Sequence, residues 1–91
     1  MTRRLLTIAL ADEVRAEIAR QRRTVTSVAE ATGMDRRTLT RRLGGFGDLR
    51  ATELDALAAE LDVEVATLHE RAHAAIDAAM RRHPAGSAVA P

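Results

Sequence analysis

Ninety-one residues are room for one domain and not for two. At 46% hydrophobic and 30% charged, with a formal net charge of +1, the composition is that of a folded globular domain. It excludes a disordered chain, and no run reaches the ~18 apolar residues that crossing a bilayer requires.

The first element is a helix over residues 5–22. Leu6, Leu10, Val14 and Ile18 recur every four residues and draw one apolar stripe. Its start is open, since Leu5, Leu6 and Ile8 can equally begin as an extended arm. Asp12 and Glu13 follow this apolar stretch without a small-residue cleavage pattern, so a secretory signal is not expected. Thr24 predicts the N-cap of a second helix that turns Val28 and Ala29 inward and stops at Gly33, a residue suited to a left-handed helix end. Ser27 with Glu30 offers an alternative start three residues later. Asp35 predicts the cap of a third helix, 36–43, with Leu39 and Leu43 as its buried positions.

Gly44, Gly45 and Gly47 then break the chain, and Phe46 among them, the single aromatic, is expected to plug the edge of the core. Thr52 with Asp55 predicts the start of a fourth helix carrying Leu54, Leu57, Ala58 and Leu61 at one face. Val63 and Val65 mark a short turn. A fifth helix over 66–82 sets Leu68, Ala72, Ala75, Ile76 and Ala79 on one side and ends at Pro84, and residues 84–91 are expected to be a disordered tail. No segment alternates at period two. The expectation is one all-α domain of five helices over residues 1–83.

Helices of seven to nine residues are not stable alone. The second and third, joined at Gly33 and Met34, are expected to cross over Ala29, Leu39 and Leu43 as a helix-turn-helix over about 24–43. At about 100° per residue, Arg37 points about 140° and Arg41 about 180° away from the buried direction of the third helix. Thr38, Thr40 and Arg42 flank them, and Arg36 reaches forward from the first turn. Such a face is poor for burial against protein. It suits a major groove, where Arg binds guanine bidentately and Thr offers a hydroxyl or a methyl.

The charge is split along the chain. Residues 1–50 hold eleven Arg and six acids, and residues 51–91 hold three Arg and seven acids. Eight arginines fall between Arg20 and Arg50. Such clustering points to an anionic partner on one face.

Ser27 to Met34, Asp35 to Gly44 and Leu54 to Val63 resemble, in order, the corresponding segments of the lambda-repressor/Cro-like (XRE) helix-turn-helix family, over roughly residues 10–72. The resemblance implies a five-helix lambda-repressor-like domain that binds double-stranded DNA. It implies base contacts from Arg36, Arg37, Thr40 and Arg41, with Thr38 beside them. Phosphate contacts fall to Thr24, Thr26, Arg42 and Arg50. Two departures from the family stand out. Val25 occupies a position where the family often has Gln, and Asp62 stands where it usually has Gly at the end of the fourth helix. By the same resemblance the protein is a phage-type or autoregulatory repressor that occludes a promoter in the cytoplasm. It is expected to act as a homodimer on a palindromic operator, with no membrane, small-molecule substrate or cofactor. The dimer surface is expected on the C-terminal helix, at Leu68, Ile76, Ala79 and Met80, or on Leu5, Leu6 and Ile8.

One other pattern carries chemistry. His69 to His73 spell H-E-x-x-H, which would set two imidazoles on one helix face with Glu70 as a base. A zinc peptidase also needs a sheet and a third ligand. Ile76 and Ala79 occupy the last two places of the extended motif, and His83 lies near the helix end. No enzyme, metal site or catalytic residue is therefore expected. Two rival readings remain in view: a protein-interaction module on a helix-turn-helix scaffold and a non-specific nucleoid binder.

Overall fold

A computed structural model describes residues 3–82. Five helices follow one another: α1 (Arg3–Arg20), α2 (Val25–Thr32), α3 (Arg36–Leu43), α4 (Ala51–Leu61) and α5 (Val65–Arg82). No strand occurs among the described residues. The expected ending of α5 at Pro84, the tail and His83 lie outside them.

The core is aliphatic. Val14, Val28, Leu39, Leu57, Leu61 and Leu68 are fully buried, joined by Leu10, Ile18, Ala29, Leu43, Leu54, Ala58, Ala72 and Ile76. Each large member is worth about 1.5–3 kcal/mol of transfer free energy. The α1 stripe ends on this core as the spacing predicts, with Leu6 half-covered at its edge. The two long helices, α1 and α5, pack along each other and run antiparallel. Glu17 of α1 meets Arg71 of α5, while Leu5 to Asp12 lie beside Ala75 to Arg82. Of the three short helices, α2 packs on α3 and α4, while α3 and α4 rest on α1.

Four helices end on one device. The residue after the last turn takes the left-handed conformation, and the next N–H reaches back five residues to a helix carbonyl. The left-handed residues are Arg22, Gly33, Gly45 and Asp62. The returning bonds are Arg23 N–H to Ile18 O (3.0 Å), Met34 N–H to Ala29 O (3.0 Å), Phe46 N–H to Arg41 O (3.0 Å) and Val63 N–H to Ala58 O (3.0 Å). Asp62 therefore makes the turn that its family counterpart makes with Gly. A short polar side chain tolerates this conformation at modest cost.

Several expectations are corrected in detail. The α1 helix begins at Arg3, so Leu5, Leu6 and Ile8 are helical and form no extended arm. The box at α2 is Thr24 with Ser27, not Ser27 with Glu30: Ser27 N–H donates to Thr24 Oγ1 (3.0 Å) and Thr24 N–H to Ser27 Oγ (3.3 Å). At α4 the cap is Arg50, whose N–H donates to Glu53 Oε1 (2.8 Å). Thr52 and Asp55 sit inside the helix. Phe46 does not plug the core. It is 69% exposed, because the aliphatic side chains already fill the interior and the left-handed Gly45 turns the next residue outward.

One charge lies inside this frame. Glu17 is only 9% exposed and is held from three sides. Gln21 donates to Oε2 (2.9 Å), Arg71 to Oε1 (2.8 Å), and Arg20 also donates to Oε1. Gln21 Nε2 further donates to Leu61 O (2.7 Å), and Arg23 to Glu60 O (3.3 Å) and Oε2 (2.7 Å). The last carbonyls of α4 are thus satisfied by the end of α1 and the start of the next turn. The hydrogen bond from Gln21, with those from Arg71 and Arg20, outweighs partial burial and holds the Glu17 carboxyl below its ordinary value of 4.5.

Glu17→Gln should lower the free energy of unfolding at pH 7 by about 1–3 kcal/mol, measured by urea denaturation. A depressed folded-state value means the charge stabilises fully above about pH 4.5 and loses its effect as pH falls through the lower folded value. The gap between wild type and variant should therefore narrow on acidification below pH 4.5.

Candidate nucleic-acid interface

The turn between α2 and α3 is set by Gly33 and closed by Asp35. Gly33 has φ +76°, and an added Cβ would meet nothing within 4 Å, so only its backbone conformation demands glycine. Met34 then folds back against the core. Asp35 starts α3: its Oδ2 accepts from Thr38 N–H (3.0 Å) and from the Thr38 hydroxyl (3.3 Å). These bonds, led by the Thr38 N–H and joined by attraction to Arg37, hold the Asp35 carboxyl below its ordinary value of 3.8. Leu39 and Leu43 are buried, and Ala29 of α2 is only 2% exposed where the two short helices cross. A larger side chain there would push α3 off the body.

Held this way, α3 shows Arg36, Arg37, Thr40 and Arg41 to solvent, and these four line one open, shallow depression. Thr38 stands apart. It is half-buried and its hydroxyl already serves Asp35.

Arg42 also differs from its neighbours. Its side chain is 13% exposed, and its Nε lies 2.9 Å from Glu53 Oε1. This is a close charge contact without hydrogen-bond alignment. Glu53 thus does two jobs, capping α4 and neutralising the one inward-turned arginine of α3. Sequence reading missed Glu53, because the pairing spans the Gly-rich loop and nothing local announces it.

The remaining candidates sit at helix starts. Thr24 and Thr26 are exposed at the first turn of α2, with Val25 between them packed against the core. The residue at the family's Gln position therefore faces inward. Arg50 is exposed at the start of α4.

Ion pairs hold several of the arginines. Arg15 pairs with Asp12, Arg20 and Arg71 with Glu17, Arg23 with Glu60, and Arg42 with Glu53. Arg36, Arg37 and Arg41 make no ion pair within 4 Å among the described residues. Three guanidiniums without an ion pair thus stand close together on α3 and make it locally cationic.

The H-E-x-x-H pair lies elsewhere, on α5. The rings of His69 and His73 stack with centroids 6.5 Å apart. Among the described residues, no group of three or more His, Cys, Asp or Glu side chains could hold a metal ion.

Two short crossed helices with a glycine turn, the second presenting an open cationic ridge, define a helix-turn-helix nucleic-acid-binding domain. A family model for the Cro/C1-type HTH DNA-binding domain matches residues 14–72, more than half of the chain. The chain belongs to this DNA-binding family, and the match agrees with the resemblance read from the three helical segments. No curated protein matches the chain, and no solved structure does. No helix among the described residues is long and apolar enough to cross a membrane.

Gly33→Ala should cost about 1 kcal/mol of stability, because the left-handed turn then carries a Cβ. A lower urea midpoint with unchanged m-value would show it.

Proposed function

We propose that the protein is a sequence-specific transcriptional regulator, a phage-type or autoregulatory repressor that occludes a promoter in the cytoplasm. In this reading α3 enters the major groove of a duplex operator. Arg36, Arg37, Thr40 and Arg41 reach base edges, with Thr38 at their margin. Thr24, Thr26 and Arg50 meet the phosphates on either side, and the free N–H groups at the starts of α2 and α3 add to this. Arg42 serves as a buttress that fixes α3 against α4, not as a phosphate ligand, because Glu53 already holds its charge. The observation that carries the reading is the grouping of three exposed arginines, none in an ion pair within 4 Å among the described residues, with Thr40 on the outer face of one short helix. No catalytic step and no cofactor enter it.

A single such helix covers only a few base pairs, so the reading includes a homodimer on a two-fold site. The surface we assign to it is the shallow groove between the start of α1 and the end of α5. Leu5, Ile8, Ala9, Ala75, Ile76 and Ala79 line it, with Asp12 and Arg82 on its rim. Met80 (53% exposed) adds apolar surface on α5. Because the helices are antiparallel, Asp12 and Arg82 sit at opposite ends of the groove. A two-fold axis would bring each to the other's counterpart. Leu68 and Ile76 contribute less than expected to such a surface, since the body of the monomer already buries them.

Arg37→Ala and Arg41→Ala should each weaken binding to a selected operator by about 1–3 kcal/mol, while Arg15→Ala, paired with Asp12 on α1, should leave it unchanged. Equal affinities across all three, by fluorescence anisotropy, would reject the base-contact assignment. Sedimentation equilibrium of Ile8→Asp with Met80→Asp should report a monomer of unchanged helical content where the wild type is a dimer; a wild-type monomer at all concentrations would remove the dimer from the reading.

A further inference from the structure

We infer that the operator half-site read by α3 is guanine-rich, with two or three guanines in about four consecutive base pairs and a thymine beside them. The inference rests on the reading that α3 enters a major groove. Eight residues at ~1.5 Å each make a helix about 12 Å long, which spans about four base steps of ~3.4 Å.

The chemistry of the ridge fixes the rest. Every polar atom on Arg36, Arg37 and Arg41 is a hydrogen-bond donor. No Asn, Gln, Asp or Glu lies within α3. The nearest acceptor, the Asp35 carboxylate, is engaged by Thr38 N–H and Oγ1 and drawn to Arg37. The Thr38 hydroxyl is engaged in turn. The outward surface is therefore donor-only, apart from the hydroxyl and methyl of Thr40.

The four base pairs respond differently to such a surface. Guanine presents two adjacent acceptors, N7 and O6, which fit a guanidinium fork. Adenine sets its amino donor beside N7, and cytosine presents only its amino donor. Against a guanidinium fork, adenine satisfies one donor at N7 and sets its amino group against the other, while cytosine meets donor with donor alone. Thymine offers an acceptor and a methyl group that matches the Thr40 methyl. On the strand that an arginine reaches, the surface thus favours guanine over adenine and cytosine. Arg42, which would have broadened the donor array, is withdrawn by Glu53.

The test uses the full chain. Bound duplexes are first selected from a random pool at physiological salt. The guanines of the selected site are then replaced one at a time by 7-deazaguanine, which lacks the N7 acceptor, or by inosine, which changes only the minor groove. Each contacted guanine should lose about 5- to 150-fold in affinity with 7-deazaguanine and show no loss with inosine. Arg41→Gln should move the preference at one position from guanine to adenine, since Gln reads adenine's acceptor–donor pair. A selected half-site without guanine, or 7-deazaguanine without effect, would overturn this inference while leaving specific DNA binding standing. Equal affinity for every duplex would overturn both.

Discussion

An eight-residue helix does not hold itself together in water, because the cost of nucleating it exceeds what its few hydrogen bonds return. Both α2 and α3 have this length. They exist because Val28, Ala29, Leu39 and Leu43 are buried against Val14, Leu57 and the rest of the aliphatic core. All that the outer face of α3 can do depends on that burial. With Leu39 and Leu43 pointing inward at spacing four, Arg37 and Arg41 fall on the opposite face and stand outward, on a support as rigid as the core beneath them.

The distribution of charge follows the same division of labour. Three carboxylates tie elements together through arginines: Glu17 joins α1 to α5, Glu60 holds the turn before α2, and Glu53 joins α4 to α3. Along α3 itself no carboxylate follows Asp35, and Asp35 is occupied as the cap. A nearly neutral protein can in this way present a strongly positive edge. In the proposed reading, an anionic polymer meets that edge at long range through its field and at short range through guanidinium forks.

Much of this was legible in the sequence, and the failures have physical causes. The five helices were visible because aliphatic residues recur at helical spacing, one turn because Gly33 suits the left-handed region, and another because Gly44, Gly45 and Gly47 break the chain. Arg22 and Asp62 take the same conformation without any such signal. There the surrounding hydrogen bonds impose what glycine would have advertised. The start of α4 lies before Thr52 because the Glu53 carboxylate caps from inside the helix and needs only a backbone N–H at Arg50, which no side-chain pattern marks. Phe46 was expected inside because it is apolar, yet an interior of Ala, Leu and Val leaves no aromatic-sized space. Of the residues proposed to read bases, Arg36, Arg37, Thr40 and Arg41 fall together as helical geometry requires. The diversion of Arg42 to Glu53 depends on a contact across the glycine loop that no local pattern encodes.

The central claim is that the unbalanced guanidiniums of α3 are the groups that meet DNA. Nitrogen-15 NMR of arginine side chains during titration with a duplex operator tests it most directly. The account predicts that the Nε–Hε signals of Arg36, Arg37 and Arg41 shift and broaden, while those of Arg15, Arg20 and Arg71 stay in place. Perturbation confined to α4 and α5, with the three α3 signals unmoved, would contradict it.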